Sequence, residues 1–587
     1  MWLVLLSLLT LFIIGRSLLF LLNKGRTEND FSFTELVLYS FSLGYAGLTV
    51  ITLIPAQIGI LVAPVNFLAI ICIPSAALIF WMYKRRKEKA IGNNAFENRL
   101  NLKRAFLEGV ENSISKVHFS TIVLIIVFVV ALFLRLETQL TTTWMGDQDP
   151  YYHLSFIDSI VAQGTLPSRT FWGFYSYPPS FHLVFSTLIS TIQVDRYILM
   201  KIVPEFLGFL SVPAVYALIK RKYGEWPGIA SAAFLAICSF HIYRTNIAIP
   251  DPIALLGVIM FFHAATTQEG IRKNLLAGLF ASMVFLTNVI GVLYFLPSVA
   301  AIFLASLMLR RWNEALGFLK ATFIGLLISG FFWLPTLYNL GLNGIFEGLG
   351  PAYPYYGFFS FNSNTYFSWI GVGACILAMV GLYVCIRDFK DSLMLLIPFS
   401  FFLFLIEAGN NGLHFFEPTV LVRGLLFLGT WVSLLAGVGF WRVMQTKRKK
   451  IALTGLAVII VLTMISFPLL SGNRYPVNWS YEDVDFAYRS YLENYADIFG
   501  DKNYMIYSAD WAINYGAFNN VILAKELPQM GEALIRNDSS AVMNLVNEHN
   551  IKYLIFNNGT QEAEFLVQSK LAHIYNENWH AIVLAIK

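Results

Sequence analysis

Apolar segments of about 20 residues recur along nearly the whole chain, and this feature constrains the fold more than any other. A helix of that length spans the hydrocarbon core of a bilayer. The 587 residues are 57% hydrophobic and only 13% charged, and the mean hydropathy is +0.62. A water-soluble globular protein could not bury so many apolar segments of this length. The sequence therefore predicts an all-α polytopic membrane protein.

Clusters of Lys and Arg lie in alternate loops between these segments, which indicates a single orientation. The positive-inside rule places such loops on the cytoplasmic side. Counting on that basis predicts about 14 spans, at 1–22, 33–54, 58–83, 119–136, 196–219, 228–243, 251–267, 274–290, 291–309, 316–337, 367–386, 391–406, 419–440 and 450–470. The apolar stretch 180–193 is excluded, since a crossing there would invert every later basic loop. We expect it to lie along the outer interface or to dip into it.

The chain divides by composition into four parts. The predicted parts are an N-terminal membrane extension of three helices (1–83), a basic cytoplasmic linker (84–118), a membrane domain (119–470) and a polar extracytoplasmic tail (471–587). The first segment has no basic n-region and no small-residue cleavage site, so it is predicted to be a retained span. In the tail, strand patterns at 503–507, 553–557 and 581–586 alternate with helical patterns at 510–515, 539–548 and 560–571, which predicts a small α/β domain.

Two carboxylates, Asp147 and Asp149, emerge from a hydrophobic span into the first sizeable outer loop. Carboxylate oxygen is the ligand that Mg²⁺ and Mn²⁺ prefer, and a carboxylate also serves as a general base. Asp149 followed by Pro150 is equally an ordinary helix start, with the Asp side chain capping free N–H groups. Both interpretations stand, and one carboxylate can fill both roles.

Further ionisable residues collect in the other predicted outer segments. Arg244 and Asp251 flank the second, where a charge so close to hydrocarbon indicates function, although Asp251-Pro252 repeats the helix-start pattern. Glu347 lies in a long Gly-rich, aromatic third segment and is either a metal ligand or a solvated loop carboxylate. No P-loop, GxSxG or HExxH motif is present, and the small net charge gives no indication of nucleic-acid binding.

The stretch Gly146-Asp-Gln-Asp-Pro-Tyr-Tyr-His153, the later Tyr-Pro-Pro, the Arg-Thr and Asp of the second outer loop and the C-terminal soluble domain occur in a familiar order. This pattern resembles the GT-C superfamily of polyprenyl-linked sugar transferases, and GDQDPYYH is most similar to the catalytic subunit of oligosaccharyltransferases. The resemblance covers residues 119–587. It implies a GT-C type helix bundle with a small C-terminal α/β domain.

The resemblance also implies site residues. Asp149 takes the position of the essential first-loop acid and Asp147 that of its partner, while Asp251 corresponds to the second-loop acid. Those three acids are the implied ligands of a divalent cation, Mg²⁺ or Mn²⁺, and Glu347 of the third outer segment is a further candidate ligand. The implied substrate-binding residues are His153, Arg244, Arg423, Asp510 and Trp511. As an alternative, Arg423 is an interfacial anchor whose side chain snorkels.

Two departures from the family pattern are visible. The family's second loop has two acids close together, whereas Asp251 is followed by Pro252 and Ile253. The acceptor-reading signature Trp-Trp-Asp-Tyr-Gly is degenerate here, where Ser508-Ala-Asp-Trp-Ala512 stands in its place. The first difference leaves the implied metal site one acid short. The second argues against a protein acceptor and leaves the expected lipid-linked donor unaffected.

The sequence as a whole predicts an integral, multi-pass glycosyltransferase of the plasma membrane. Its expected donor is a sugar or oligosaccharide on a polyprenyl (dolichol-type) phosphate or diphosphate, and its acceptor is a glycan, a lipid or a protein on the extracytoplasmic face. Membrane lipid is the expected surrounding, with no nucleic-acid partner. Two alternatives stay open, namely an oligosaccharyltransferase that N-glycosylates protein sequons and a flippase or other transporter of lipid-linked sugars.

Overall fold

Most of the described residues form apolar helices, as the sequence predicts. The computed structural model describes residues 2–22, 31–57, 119–141, 149–166, 177–347, 363–409, 418–445, 503–506, 521–523, 528–557, 561–577 and 581–586. Eight helices in these ranges are long and apolar enough to cross a membrane, or nine if one bent pair counts as a single span. The predicted spans 58–83 and 450–470, and the predicted domain boundaries near 83, 118 and 470, lie outside the described residues.

Helices lie at the predicted spans within the described ranges, although only eight or nine qualify as spans by length and composition, so the count of 14 is not confirmed. In chain order they are α1 (Trp2–Leu22), α2 (Phe33–Gln57), α3 (Phe119–Thr141), α4 (Asp149–Gln163), α5 (Ser180–Ile192), α6 (Arg196–Phe209), α7 (Ser211–Tyr223), α8 (Glu225–Ala236), α9 (Ser239–Thr245), α10 (Asp251–Thr267), α11 (Gly270–Thr287), α12 (Val289–Met308), α13 (Trp312–Glu347), α14 (Ser363–Tyr366), α15 (Val372–Arg387), α16 (Leu393–Ala408) and α17 (Pro418–Met444). A π-helical turn, Phe367–Gly371, joins α14 to α15.

Small residues allow the first two helices to pack closely. A Cβ atom added at Gly15 would lie 1.7 Å from the carbonyl oxygen of Ser40, and one added at Gly44 would lie 1.9 Å from that of Leu11. Such contacts bring two backbones together where lipid supplies no hydrophobic driving force between helices. The pair α1–α2 is thus a tight hairpin, and its side chains join the same buried cluster as the rest of the membrane part.

The short apolar helix α5 is buried inside the protein. Residues 180–188 are all buried, and the helix packs against α2 and α4. The hydroxyls of Thr49 and Ser180 form a hydrogen bond of 2.6 Å between α2 and α5. Helix α4 buries Leu154, Ile157 and Ile160, which recur at helical spacing on one face. Helix α5 has 13 residues, too few for a span, and it is enclosed by other helices.

The predicted span 228–243 is two helices. Helix α8 ends at Ala236, α9 begins at Ser239, and the two axes differ by 66°. Neither Gly nor Pro stands at the junction, where the sequence reads Ile237-Cys238. The bend therefore depends on tertiary contacts, which are described below, and it gives α9 a direction of its own.

The tail contains the predicted α/β domain. Its elements are β1 (Asn503–Ile506), β2 (Val521–Leu523), α18 (Pro528–Ile535), α19 (Ser539–Glu548), β3 (Ile551–Asn557), α20 (Gln561–Gln568), β4 (Ala572–Glu577) and β5 (Ala581–Ile586). The strand order is β2-β1-β3-β5-β4, with β1 parallel to β2 and β3, and β5 antiparallel to β3 and β4. Strands β2 and β4 and helix α18 are absent from the prediction, because their apolar runs are short.

Candidate active site

Four charged side chains from separate elements meet in one place. Asp149 is the first residue of α4, Asp251 the first of α10, Arg244 lies in the last turn of α9, and Arg423 lies near the start of α17. Each of these positions is at a helix end, where a charged side chain avoids the cost of the hydrocarbon core. We call this group the α10-start cluster.

Asp251 is the buried centre of the cluster. Its side chain is 2% exposed and accepts a hydrogen bond of 2.5 Å from Nη2 of Arg244 at Oδ2, while the amide of Asn288 donates to Oδ1. Nε of Arg423 lies 3.9 Å from Oδ2. The N-cap position of α10 is occupied by Pro250, not by Asp251. A buried carboxylate needs such partners to remain charged, and here two guanidinium groups supply them.

Asp149 and Arg423 form the accessible side of the cluster. Nη2 of Arg423 lies 3.1 Å from Oδ2 of Asp149, and the two side chains are 29% and 32% exposed. Because Arg423 also faces Asp251, one guanidinium links both carboxylates. A ligand that enters the site can therefore contact one carboxylate and one guanidinium. The buried ion pair of Arg244 and Asp251 lies behind them.

A pair of histidines lies beside the two carboxylates. His153 Nδ1 and His182 Nε2 are 3.0 Å apart, and the rings of Tyr177 and Phe181 pack against His153. Burial lowers the pKa of His153 to about 4 even though Asp149 and Asp251 oppose that shift. His153 is therefore neutral at neutral pH and contributes hydrogen bonds, not charge.

Three residues of this region are absent from the sequence-based prediction as site residues. Asn288 donates to both Asp251 and the hydroxyl of Tyr177, the latter at 3.1 Å, and its Oδ1 accepts from the backbone N–H of Ile290 and Gly291. His182 is the third. An asparagine at the junction of two apolar spans is the only sequence signal for Asn288, and the Tyr-Pro-Pro motif the only one for Tyr177.

Several predicted site residues lie outside the described residues, namely Asp147, Asp510 and Trp511. The side chain of Glu347, at the end of α13, is also not among those described. Within the described part of the chain, no group of three or more His, Cys, Asp or Glu side chains is placed to hold a metal ion. The described acids Asp149 and Asp251 are paired with Arg423 and Arg244 and do not form a metal site by themselves. We derive no step through a metal.

The fold is that of the GT-C class of membrane glycosyltransferases. ArnT from Cupriavidus metallidurans superposes with a TM-score of 0.55 at 13% sequence identity, over 78% of this chain and 97% of that one. The oligosaccharyltransferase of Archaeoglobus fulgidus superposes with a TM-score of 0.52 at 12% identity, over 75% of this chain and 70% of that one. These likenesses confirm the GT-C fold expected from the sequence.

Sequence comparison gives a narrower match. The chain is 24% identical over 150 residues to dolichyl-phosphooligosaccharide-protein glycotransferase 1 of Pyrococcus furiosus. The match covers 23% of this chain and 15% of that protein, well under two thirds of its length. No protein-family profile matches the chain.

Proposed function

We propose that this protein is an integral membrane glycosyltransferase that takes a sugar or oligosaccharide from a polyprenyl phosphate or diphosphate on the extracytoplasmic face. The observation that carries the proposal is the position of Arg423, which faces Asp149 and Asp251 at once in a GT-C fold. A site of this composition supplies both a base and a cationic partner for phosphate.

In the proposed reaction the acceptor displaces phosphate at the anomeric carbon. The bond from the acceptor to the anomeric carbon forms while the bond from that carbon to the phosphate oxygen breaks. Asp149 takes the acceptor's proton, because it is the partly exposed carboxylate of the cluster, and the polyprenyl phosphate or diphosphate leaves with the electron pair. General-base catalysis of this kind contributes about 10²–10⁴-fold.

The leaving phosphate requires positive charge. Arg423 is partly exposed. Its guanidinium can therefore donate hydrogen bonds to a phosphate in place of a carboxylate. Arg244 is 5% exposed, and its Nε–H is buried without a hydrogen-bond partner in the described part of the chain. A donor left unpaired in this way is costly unless a ligand uses it. Asn288 and Arg244 hold Asp251 charged, so that Asp251 in turn orients Arg423.

Ligands of the structural relatives support a polyprenyl phosphate donor. The ArnT structure has also been solved with undecaprenyl phosphate, and the Archaeoglobus fulgidus enzyme with dolichol phosphate and an inhibitory peptide. We use the same two lipids as probes. Each should raise the melting temperature of the purified wild-type protein, because a ligand that binds only the folded state stabilises it. The absence of stabilisation by either lipid would contradict the proposed donor class.

The alternative of a transporter places charge differently. A transporter of lipid-linked sugars needs ionisable residues near the bilayer midplane, on broken helices. In this chain the paired acids and arginines occupy helix ends. Release of free polyprenyl phosphate from a labelled donor in detergent, where no second compartment exists, distinguishes an enzyme from a transporter.

The proposed outer location of the tail has a direct test. We expect a cysteine at the exposed position His573, in β4, to react with an impermeant maleimide in intact cells, and a cysteine at the exposed position Lys390 to react only after lysis. The unmodified chain, which carries Cys72, Cys238, Cys375 and Cys385, gives the background labelling. The reverse labelling pattern would place the site on the cytoplasmic side.

The acceptor proposed here is a glycan or a lipid. A site that reads the hydroxyl of Ser or Thr needs fixed polar partners and then discriminates strongly, whereas the stretch 508–512 keeps one acid and one indole of the family signature. We expect no preference for a peptide with Asn-x-Thr over the same peptide with Gln in place of Asn. Efficient transfer that depends on Asn would make the protein an oligosaccharyltransferase.

The Mg²⁺ or Mn²⁺ site stays a prediction. One structure of the Archaeoglobus fulgidus enzyme contains zinc and sulfate, and Asp147, the predicted ligand next to Asp149, is outside the described residues. Transfer should be measured after EDTA treatment and again after Mn²⁺ is restored. Loss of transfer with EDTA and its recovery with Mn²⁺ would show that the site uses a cation. Unchanged transfer would show that the arginines alone neutralise the phosphate charge.

A further inference from the structure

A buried arginine lies at the bend between α8 and α9. Arg135 of α3 is 0% exposed, and its guanidinium donates to the carbonyl oxygens of Ala236 at 3.2 Å and Leu235 at 3.1 Å. These carbonyls are in the last turn of α8, where the interruption of the helix removes their usual partners four residues on, and the Leu235 carbonyl also accepts from the backbone N–H of Cys238 at 3.3 Å. The arginine therefore satisfies the backbone at the 66° bend.

The same guanidinium fixes the orientation of a histidine in α9. Nη2 of Arg135 lies 2.7 Å from Nδ1 of His241, and Nε2 of His241 lies 2.7 Å from Oγ of Ser211. An arginine only donates, so Nδ1 accepts and Nε2 carries the ring proton. The Nε2–H group donates a hydrogen bond to Oγ of Ser211. The Ser211 hydroxyl in turn donates to the carbonyl of Gly208 at 2.6 Å. The result is a chain of hydrogen bonds in one direction, from α3 through α9 to the junction of α6 and α7.

This chain ends beside the α10-start cluster. Thr245, next to Arg244, donates to the carbonyl of His241 at 2.6 Å. A Cβ atom added at Gly208 would lie 3.0 Å from Thr245 and 3.1 Å from Pro252, the neighbour of Asp251. One turn beyond Arg135 on the same helix, Gln139 donates to the carbonyl of Asn246. Helix α3 thus holds the segment that carries Arg244 at both of its ends.

The charge of Arg135 also needs an explanation. Among the described residues no carboxylate lies within salt-bridge distance of Arg135. The positive charge of its guanidinium is instead partly balanced by carbonyl oxygens at the end of α8, which is the negative end of the helix dipole. A cation buried without an acid is costly in a membrane protein. Packing alone would be served equally well by an apolar side chain, so a specific geometry is what the arginine contributes.

We propose that Arg135 is a positioning residue, which fixes the α8–α9 bend through His241 and so holds Arg244 against Asp251 for phosphate binding. The phosphate step rests on the proposed function, whereas the effect on α9 does not. In this role Arg135 contacts neither the sugar donor nor the acceptor. It affects them only by fixing the orientation of α9, which carries Arg244.

The first experiment measures the position of α9 without any ligand. In Arg135→Met we expect backbone amides of residues 239–246 to exchange hydrogen at least about tenfold faster than in wild type, because the bend loses its partners. Exchange in α19 should be unchanged, as an internal control. Arg387→Met removes an exposed arginine elsewhere and serves as the matched control variant. Wild-type exchange over 239–246 in Arg135→Met would overturn the proposal.

The second experiment measures undecaprenyl phosphate binding. His241→Asn retains an acceptor near Nδ1 for Arg135, whereas His241→Leu removes it. We expect Kd to rise about tenfold in His241→Leu and at most about threefold in His241→Asn, which corresponds to one lost charged hydrogen bond. Equal effects of the two variants would overturn the role of the network. If wild type itself does not bind the lipid, the proposed function fails and the exchange experiment still decides the positioning role.

Discussion

Helix α10 carries a charged cluster at each end, and the two clusters differ in how completely their charges are satisfied. At its start lie Asp251, Arg244, Arg423 and Asp149. At its end His263 lies 3.2 Å from Oε1 of Glu35, a residue of α2. Twelve residues of helix separate the two clusters, or about 18 Å. We call the second group the α10-end cluster.

The carboxylate of the α10-end cluster is fully engaged and buried, although Nε2 of His263 makes no hydrogen bond of good geometry within the described residues. Glu35 is 3% exposed, and its carboxylate accepts from the backbone N–H and the hydroxyl of Ser32, both at 2.8 Å, and from Nε and Nη2 of Arg221 at 2.8 and 3.2 Å. Tyr39 lies 3.0 Å from the other ring nitrogen of His263. No oxygen of Glu35 is left for a ligand, so this cluster joins α2 to α7 and α10.

The α10-start cluster is open by comparison. Its outer members are about one third exposed, and one N–H of Arg244 is unused in the described residues. A polar group that is buried but unsatisfied costs stability, and here partial exposure of its neighbours lets another molecule reach the cluster and complete it. The comparison teaches that the exposure of the charged groups, more than the presence of charge, separates a binding site from a structural joint.

The largest expected effect is the loss of transfer in Asp149→Asn. Asn and Asp are comparable at a helix start, so the melting temperature should stay within about 1 °C of wild type, while transfer falls at least about a hundredfold because the base is gone. Initial rates with a polyprenyl-linked donor measure the effect.

Asp158→Asn is the matched control for that variant. Asp158 lies on the same helix and has its own arginine partner, Arg196, at 2.6 Å, but it is not in the α10-start cluster. Transfer by this control should stay within about twofold of wild type. Near-normal transfer by Asp149→Asn would reduce Asp149 to a helix-start residue and remove the functional side of the comparison.

The next effect is a weaker donor complex in Arg423→Met. Loss of one charge-assisted contact to phosphate corresponds to about 1.5–3 kcal/mol, so Kd for undecaprenyl phosphate should rise by roughly tenfold to a hundredfold. Arg423→Lys keeps the charge but not the two-pronged contact to Asp149 and Asp251, and an intermediate value is expected. Calorimetric or thermal-shift titration measures Kd. Unchanged Kd in Arg423→Met would make Arg423 an interfacial anchor.

The sequence predicted the membrane part well because spans depend on local composition. Asp149 and Asp251 also stand out locally, each as an acid next to Pro at the end of an apolar run. The partners of these acids do not. Arg135 contacts carbonyls about 100 residues away in sequence, and Asn288 reaches Tyr177 and Asp251 across 111 and 37 residues. Such pairings depend on how helices pack, and no local pattern of one sequence encodes them.

The smallest effect on transfer, and the sharpest test of the comparison, is expected in Glu35→Gln. The variant removes the charge that Arg221 faces in the α10-end cluster and should lower the stability of the folded protein by about 2 kcal/mol, the size of one charged hydrogen bond. Half of Arg221 is already exposed to solvent, which limits the loss. Thermal melting in detergent should fall by a few degrees while transfer per folded molecule at 25 °C stays unchanged. A large fall in transfer at unchanged melting temperature would show that the α10-end cluster also serves the reaction, and exposure would then not separate the two ends of α10.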